Sequence, residues 1–425
     1  MLSLSVSRRA SLAGCSLGNR ALRSLIAVAL LISATLPVYA ADPPAADAPT
    51  TDKPAAAADT GATILTVDHT TKIANPLIAG DDLYIPKDEV AAAIGFDIKP
   101  EGACRGGLCI PLDNSPEAGF FRKVDDRDYF NVSKLAARLK QAVVVDREHK
   151  VWSFGPISET RSSTAQASGP DSVLAPDFAL ADKDGKLVKL SDFRGKKVLL
   201  LTWASWCGCS LDLPGWQKLY EEMAGKNFHI VAAAQDSGGE AVARKFYDKA
   251  GATFTSLVDP HHTVSGLYQM VNVPSGVWID EEGRMVRPPE VAYSHTMQVL
   301  TVKLPGDEYV AALRDWIEKG AASKYALSPE EMRKRLAPPD DQLALAEANF
   351  KLGVYLHELG DDEAAKSYWA ESQKLAPDNW NYHRQAWSFT PKEANKLWFQ
   401  KVRNLNGKPY YAPLEFEQDF AKPSK

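Results

Sequence analysis

Four of the five cysteines in this 425-residue chain form two close pairs, Cys104 with Cys109 and Cys207 with Cys209. A cysteine thiolate can attack a disulfide, close one, or ligate a soft metal ion, so covalent chemistry is most available at these pairs. The second pair is the more informative, because its surroundings predict where it stands. The apolar run Lys197–Thr202 reads as a strand buried on both faces. Pro214–Ala224, with Trp216, Leu219, Tyr220 and Met223 at helical spacing, reads as a helix. Cys207 therefore falls at a strand-to-helix turn, where backbone N–H groups and the helix dipole stabilise a thiolate.

The other pair brackets Arg105-Gly106-Gly107-Leu108, a short loop. A structural disulfide between Cys104 and Cys109 clamping a turn is the leading reading, with a second redox pair relaying electrons as the alternative. No histidine or further cysteine stands beside them in sequence to complete a ligand set, so no metal site is expected.

Both pairs need a context that tolerates disulfides, and the N-terminus provides one. Arg8, Arg9, Arg20 and Arg23 precede an apolar run, Leu25–Leu36, and Val38-Tyr39-Ala40 offers small residues for signal-peptidase cleavage. The run is shorter than the roughly 20 apolar residues a membrane span needs. Residues 1–40 thus read as a signal peptide, and the mature chain as exported, periplasmic in a Gram-negative cell, with no integral span. Leu12-Ala13-Gly14-Cys15 looks like a lipoprotein box but precedes the apolar run, so lipid anchoring through Cys15 is not expected. Cleavage also removes Cys15 and leaves an even cysteine count, as an oxidising compartment favours. The net charge of −5 argues against nucleic acid as a partner.

The rest of the chain divides by composition. Residues 41–61 are rich in Ala, Pro, Asp and Thr and read as a flexible linker. A small α+β domain is expected over 62–156, with strands at Leu83–Pro86, Ala142–Val145 and Val151–Phe154 and a helix over Lys87–Ile94 stopped by Gly95. A second linker, 157–172, precedes the cysteine-bearing region, 173–320. A helical extension follows over 321–425. In it Ala348, Leu352, Gly353, Leu356, Gly360, Ala364, Ala365, Trp369, Leu375 and Pro377 recur at the spacing of one tetratricopeptide repeat. A single repeat cannot bury its own apolar face, so these helices are expected to pack on the redox region or on a partner.

Residues 173–320 resemble the thioredoxin-like superfamily, and within it the exported TlpA/ResA-type oxidoreductases of the alkyl hydroperoxide reductase, thiol-specific antioxidant and redoxin group. The resemblance is carried by Ala175-Pro176-Asp177-Phe178-Ala179-Leu180, Leu190-Ser191-Asp192-Phe193-Arg194-Gly195-Lys196, Trp203-Ala204-Ser205-Trp206-Cys207 and Val273-Pro274-Ser275, followed by Val277-Trp278-Ile279-Asp280. It implies an α/β fold, a central mixed sheet flanked by helices. It also implies a cis proline at Pro274 facing the cysteines, and a substrate surface at Trp206, Val273 and Pro274 on which the backbone of Val273 pairs with bound substrate. Residues 62–156 resemble the stalk domain of copper amine oxidases and other exported proteins, which implies a spacer or docking module without copper.

The chain departs from the family at the motif itself, since one residue, Gly208, separates the cysteines where the family has two. Asp212 and Pro214 keep their family distances from Cys209, which puts Cys209 in the resolving position and Cys207 in the nucleophile's. One intervening residue suits disulfide geometry poorly, so a strained, oxidising or isomerising couple is expected, helped by the conformational freedom of Gly208. Alternatively the two thiols never pair with each other.

The buried aspartate of thioredoxins is replaced by Leu201. Asp212 is either a substitute proton acceptor for Cys209 or a helix-start carboxylate favoured by the dipole. His261, His262 and His295 read as surface or loop residues. The implied function is a thiol–disulfide oxidoreductase acting on protein thiols and disulfides with an external thiol electron donor and no cofactor. A thiol peroxidase competes, though peroxiredoxins carry threonine where Ala204 stands. A non-catalytic binding or Cu(I)-handling protein is the third reading.

Overall fold

A computed structural model describes residues 61–105, 108–157, 173–299, 302–336, 340–414 and 416. The expected signal peptide and both linkers, apart from Gly61 and Ile157, lie outside the described residues.

In the N-terminal part, β1 (Ala62–Leu65) is flanked by β2 (Thr70–Ile73) and a later strand. β3 (Leu77–Ala79), β4 (Asp82–Pro86), α1 (Val90–Ile94), β5 (Asp97–Lys99), β6 (Gly102–Arg105) and β7 (Leu108–Ile110) follow. Next come β8 (Phe121–Val124), β9 (Arg127–Asn131), α2 (Val132–Arg138), β10 (Val143–Asp146) and β11 (Val151–Phe154). One sheet has the order β10-β11-β1-β2, with β1 and β11 parallel, and another the order β3-β4-β9-β8. Ile64, Ile85, Phe96, Phe130, Leu135 and Trp152 form their shared core. Gly95, with φ +73, closes α1 in the left-handed conformation that glycine accepts most readily.

The cysteine-bearing region is built on a five-stranded sheet. Its strands are β14 (Lys197–Trp203), β15 (Phe228–Ala234), β16 (Thr255–Val258), β17 (Ser275–Ile279) and β18 (Met285–Val291), preceded by the hairpin β12 (Ala179–Ala181) and β13 (Leu187–Lys189). The order is β16-β15-β14-β17-β18, parallel from β14 to β16 and antiparallel at β17 and β18. β14 is central, and all seven of its residues are buried. Side chains alternate across the sheet. Leu199, Leu201 and Trp203 meet Trp216, Tyr247, Trp278 and Trp316 on one face, while Val198 and Leu200 meet Val231, Leu257, Val277 and Ile279 on the other. Helices cover both faces, which is why the strand reads as an apolar run without alternation. They are α3 (Leu213–Glu222), α4 (Glu240–Lys249), α5 (Thr263–Tyr268) and α6 (Gly306–Lys319). This is the mixed, helix-flanked sheet expected of a thioredoxin-like fold.

The C-terminal part is helical: α7 (Pro329–Arg335), α8 (Asp341–Leu359), α9 (Asp362–Leu375), α10 (Trp380–Ser388) and α11 (Pro391–Arg403). α8 and α9 form a hairpin whose crossing needs Gly353, since a Cβ there would lie 2.5 Å from Trp369 Cδ1. The hairpin packs on β1 and β11: Ser153 Oγ donates to the Ala348 carbonyl at 2.8 Å, and Phe350, Leu352 and Leu356 join Leu65 and Val151 in one core. The helical extension thus covers the N-terminal sheet, while α10, beyond the hairpin, reaches the cysteine-bearing region.

Candidate active site

β14 ends at Trp203, and the chain turns through Ala204-Ser205-Trp206 to Cys207, which caps a short 3-10 turn, Gly208–Asp212, leading into α3. Cys207 and Cys209 are joined by a disulfide, with Cα atoms 5.1 Å apart. The Cys209 N–H donates to Cys207 Sγ at 3.2 Å, the kind of contact that stabilises a thiolate once the bond is reduced. Both sulfur-bearing residues are buried, at 3% and 2% exposure.

Gly208 does not play the part expected of it. Its φ lies outside the left-handed region, and a Cβ would meet nothing within 4 Å. The ring closes because Cys207 sits in an extended conformation, φ −104 and ψ 137, just ahead of the turn, so no glycine-only backbone is used.

Opposite the cysteines stands the loop before β17. The Val273–Pro274 peptide is cis, and the Val273 carbonyl oxygen lies 3.7 Å from Cys207 Sγ. Trp206, Cys207, Cys209, Val273 and Pro274 are therefore neighbours through the turn and the facing loop. Cys104 and Cys109 form a separate cross-strand disulfide between β6 and β7, Cα–Cα 4.0 Å. Glu101 stands close enough to complete a three-residue cluster with them, a neighbour the sequence reading passed over.

Asp212 ends the 3-10 turn and is buried. Its carboxylate accepts from the Ser294 N–H at 2.7 Å and the Ser294 hydroxyl at 2.5 Å, and pairs with His295 Nδ1 at 2.8 Å. Burial pushes its pKa up, opposed by Ser294 and His295. His295 is half exposed, at 54% of its side chain, so an imidazole links this buried acid to the surface. His261 and His262 lie in a loop, as read, and His261 is half-buried. His262, however, is fully buried, and burial drives its pKa down to about 3, so it stays neutral.

Two further features went unread in the sequence. Asp236, just past β15, accepts from the Ser205 N–H at 2.7 Å and the Ser205 hydroxyl at 2.6 Å, bracing the turn that carries Cys207. Burial raises its pKa to about 6 against those two hydrogen bonds. A carboxylate after an apolar strand is a common sequence pattern, and nothing in its spacing marks it as buried. The second is the cover over the site. α10 and residues 410–411 lie on the cis-proline loop and Trp206, a contact between positions more than 100 residues apart that no local motif announces.

Comparison with known proteins finds likeness in this same region. Residues 173–287 match the AhpC/TSA family. The chain is 32% identical over 113 residues to the thiol-disulfide oxidoreductase ResA of Bacillus thuringiensis (strain Al Hakam), covering 26% of this chain and 65% of that protein. It is 37% identical over 112 residues to the thioredoxin-like protein YneN of Bacillus subtilis (strain 168), covering 26% and 65%. The match thus spans just under two thirds of the length of these relatives. A solved structure described as a thiol:disulfide interchange protein DsbE from Chlorobium tepidum is 32% identical, with a TM-score of 0.28, covering 34% of this chain and 92% of that one. Sheet order, cysteine turn and family match together make the cysteine-bearing region a thioredoxin-like domain similar to the AhpC/TSA family.

Proposed function

We propose that this chain is a thiol–disulfide oxidoreductase in which Cys207 attacks and Cys209 resolves. The observation that carries the reading is the Cys207–Cys209 disulfide at the strand-to-helix turn, with Cys207 Sγ 3.7 Å from the carbonyl that precedes a cis proline.

In the reduced protein, the Cys207 thiolate attacks a substrate disulfide, forming a mixed disulfide and releasing one substrate thiolate. The Cys209 thiolate then attacks Cys207 Sγ and releases the second, so two electrons pass to the substrate and the protein disulfide forms. An external thiol donor restores the dithiol, and the reverse sequence oxidises a substrate dithiol. Asp212, three residues after Cys209, takes the proton from the resolving thiol and passes it outward through His295. No cofactor enters these steps.

Protein thiols and disulfides are the proposed partners, in the periplasm after removal of residues 1–40. Among the described residues no helix is long and apolar enough to cross a membrane. The short ring favours an oxidising or isomerising couple, because one intervening residue leaves little freedom to close it. Residues 62–156 serve as a stalk-like module, and α8–α9 as a single tetratricopeptide-like hairpin. Cys104–Cys109 is a structural clamp.

Equilibration of the mature protein with glutathione, read by mass spectrometry of alkylated thiols, tests this. A reversible two-electron couple, lost in Cys207→Ser and in Cys209→Ser, is expected, with a potential above about −200 mV. A couple that survives Cys207→Ser overturns the assignment, and peroxide turnover without disulfide exchange replaces it with a peroxidase.

A further inference from the structure

The loop that faces Cys207 is already occupied by the chain's own tail. Asn381, at the start of α10, donates from its N–H to the Val271 carbonyl at 3.2 Å and from Nδ2 to the Met270 carbonyl at 2.9 Å. Arg384, one turn on, donates from Nη1 to the Val273 carbonyl at 3.1 Å and to Asn272 Oδ1 at 2.9 Å. The Tyr411 hydroxyl donates to the same Val273 carbonyl at 2.8 Å, and Tyr293 in turn contacts that hydroxyl at 3.2 Å. The Val273 N–H is taken by Asn272 Oδ1 at 3.0 Å. Both backbone groups that an incoming strand could pair with at Val273 are therefore spoken for.

The neighbouring indole is covered as well. The Arg384 guanidinium lies 4.7 Å from the centre of the Trp206 ring, and Trp206 Nε1 donates to Gln385 Oε1 at 3.1 Å. Gln385 Oε1 also meets His262 Nε2 at 3.0 Å; an amide oxygen only accepts, so in this contact Nε2 carries the neutral ring's proton and donates. The segment that carries Tyr411 forms a strap over this loop, anchored at Phe416, which packs against Tyr325 at 5.3 Å between ring centres and beneath the Arg287 guanidinium at 4.9 Å.

We propose that Arg384 and Tyr411 are specificity-determining residues that act as an internal competitor for the polypeptide-pairing edge at Val273, so that a protein substrate reaches Cys207 only by displacing them, whereas small disulfides and thiols reach it directly. The inference rests on the oxidoreductase reading above. Its physical basis is twofold. A polypeptide bringing sulfur to Cys207 must run beside the carbonyl 3.7 Å from Sγ, and there it meets two donors, one of them charged. Those donors belong to the same chain, so an outside strand competes against an effective concentration in the millimolar range or above. A small disulfide needs sulfur alignment and no strand pairing.

The test uses the oxidised full chain, reduced either by glutathione or by reduced, unfolded ribonuclease A, with rates compared per thiol. Arg384→Gln and Tyr411→Phe are each expected to raise the polypeptide rate about tenfold, the scale of one lost hydrogen bond, while the glutathione rate moves less than about threefold. The redox potential of the couple should stay unchanged. Phe416→Ala, which frees the strap without touching Val273 or the cysteines, should act in the same direction and guards against misfolding of either first variant. An unchanged polypeptide rate in all three variants, or a parallel rise with both reductants, overturns the proposal. A wild-type chain with no glutathione-linked couple at all overturns the oxidoreductase reading instead.

Discussion

The two disulfides of this chain are made of the same atoms and differ in what surrounds them. Cys104–Cys109 ties adjacent strands of a hairpin directly across the ladder, Cα–Cα 4.0 Å, with Cys109 and Glu101 exposed. The backbone there is built for close approach: Gly102 has φ +138, and a Cβ would lie 2.0 Å from the Ile110 carbonyl oxygen. Cys207–Cys209 lies instead at the end of a fully buried strand, faces a cis-proline loop, and has two buried carboxylates, Asp212 and Asp236, on its own turn and on the segment bracing it. Cysteine spacing is short in both, so spacing does not separate the proposed clamp from the proposed reactive pair. Buried titratable neighbours and a facing surface do.

The largest effect should fall on one pair alone. Cys207→Ser is expected to reduce disulfide exchange by about a thousandfold or more, while Cys104→Ala with Cys109→Ala leaves the exchange rate within about twofold. Stopped-flow reduction kinetics on both proteins would break the comparison if the hairpin pair also carried the exchange. The next effect attaches pH dependence to the reactive pair. Asp236 carries a pKa of about 6 when folded, raised by burial above its ordinary 3.8. Its contribution to stability is therefore complete below about pH 4 and lost as pH rises through 6. Against Asp236→Asn, the wild type should lose about 3 kcal/mol of relative stability between pH 4 and pH 7, read from urea midpoints. The double alanine variant of the hairpin pair should cost about 2 kcal/mol at every pH, the loop-closure value for so short a ring. A pH-dependent loss there would erase the distinction. Asp212→Asn, which keeps the shape but cannot accept a proton, should slow resolution by Cys209 about tenfold above the pKa of Asp212 and change little below it, seen as accumulation of mixed disulfide.

Much of the reactive side of this comparison could be read in the sequence, because its signals are local. The Lys197–Thr202 run could be read as a central strand, since a strand buried on both faces has no alternation to hide it. The motif around Pro274 placed that residue opposite the cysteines because a fold signature fixes long-range geometry. What could not be read was set by contacts with no sequence spacing. Asp236 is buried and accepts two hydrogen bonds from Ser205, 31 positions away in sequence. His262 went from a loop residue to a buried neutral ring because α10 packs over it, through Gln385. The helical extension was expected to cover either the redox region or a partner. It covers the N-terminal sheet with α8 and the site with α10, and single-sequence periodicity gives each helix a face but never its counterpart.

Gly208 marks the smallest effect and the finest distinction between the pairs. Gly102 in the hairpin has no room for a side chain, whereas Gly208 has open space and an ordinary φ. Gly208→Ala should therefore fold normally and gain about 0.4–1 kcal/mol, because alanine has less backbone freedom to lose when its native conformation is compatible. The same gain applies to the oxidised and reduced forms if both keep this turn, so the redox potential should move by less than about 10 mV, a small part of the 30 mV that corresponds to 1.4 kcal/mol. Glutathione equilibration of the variant reads this directly. A shift beyond about 30 mV would mean that one redox state does use a backbone conformation closed to alanine. The single residue between the cysteines would then tune the couple through its own conformation, in addition to shortening the ring.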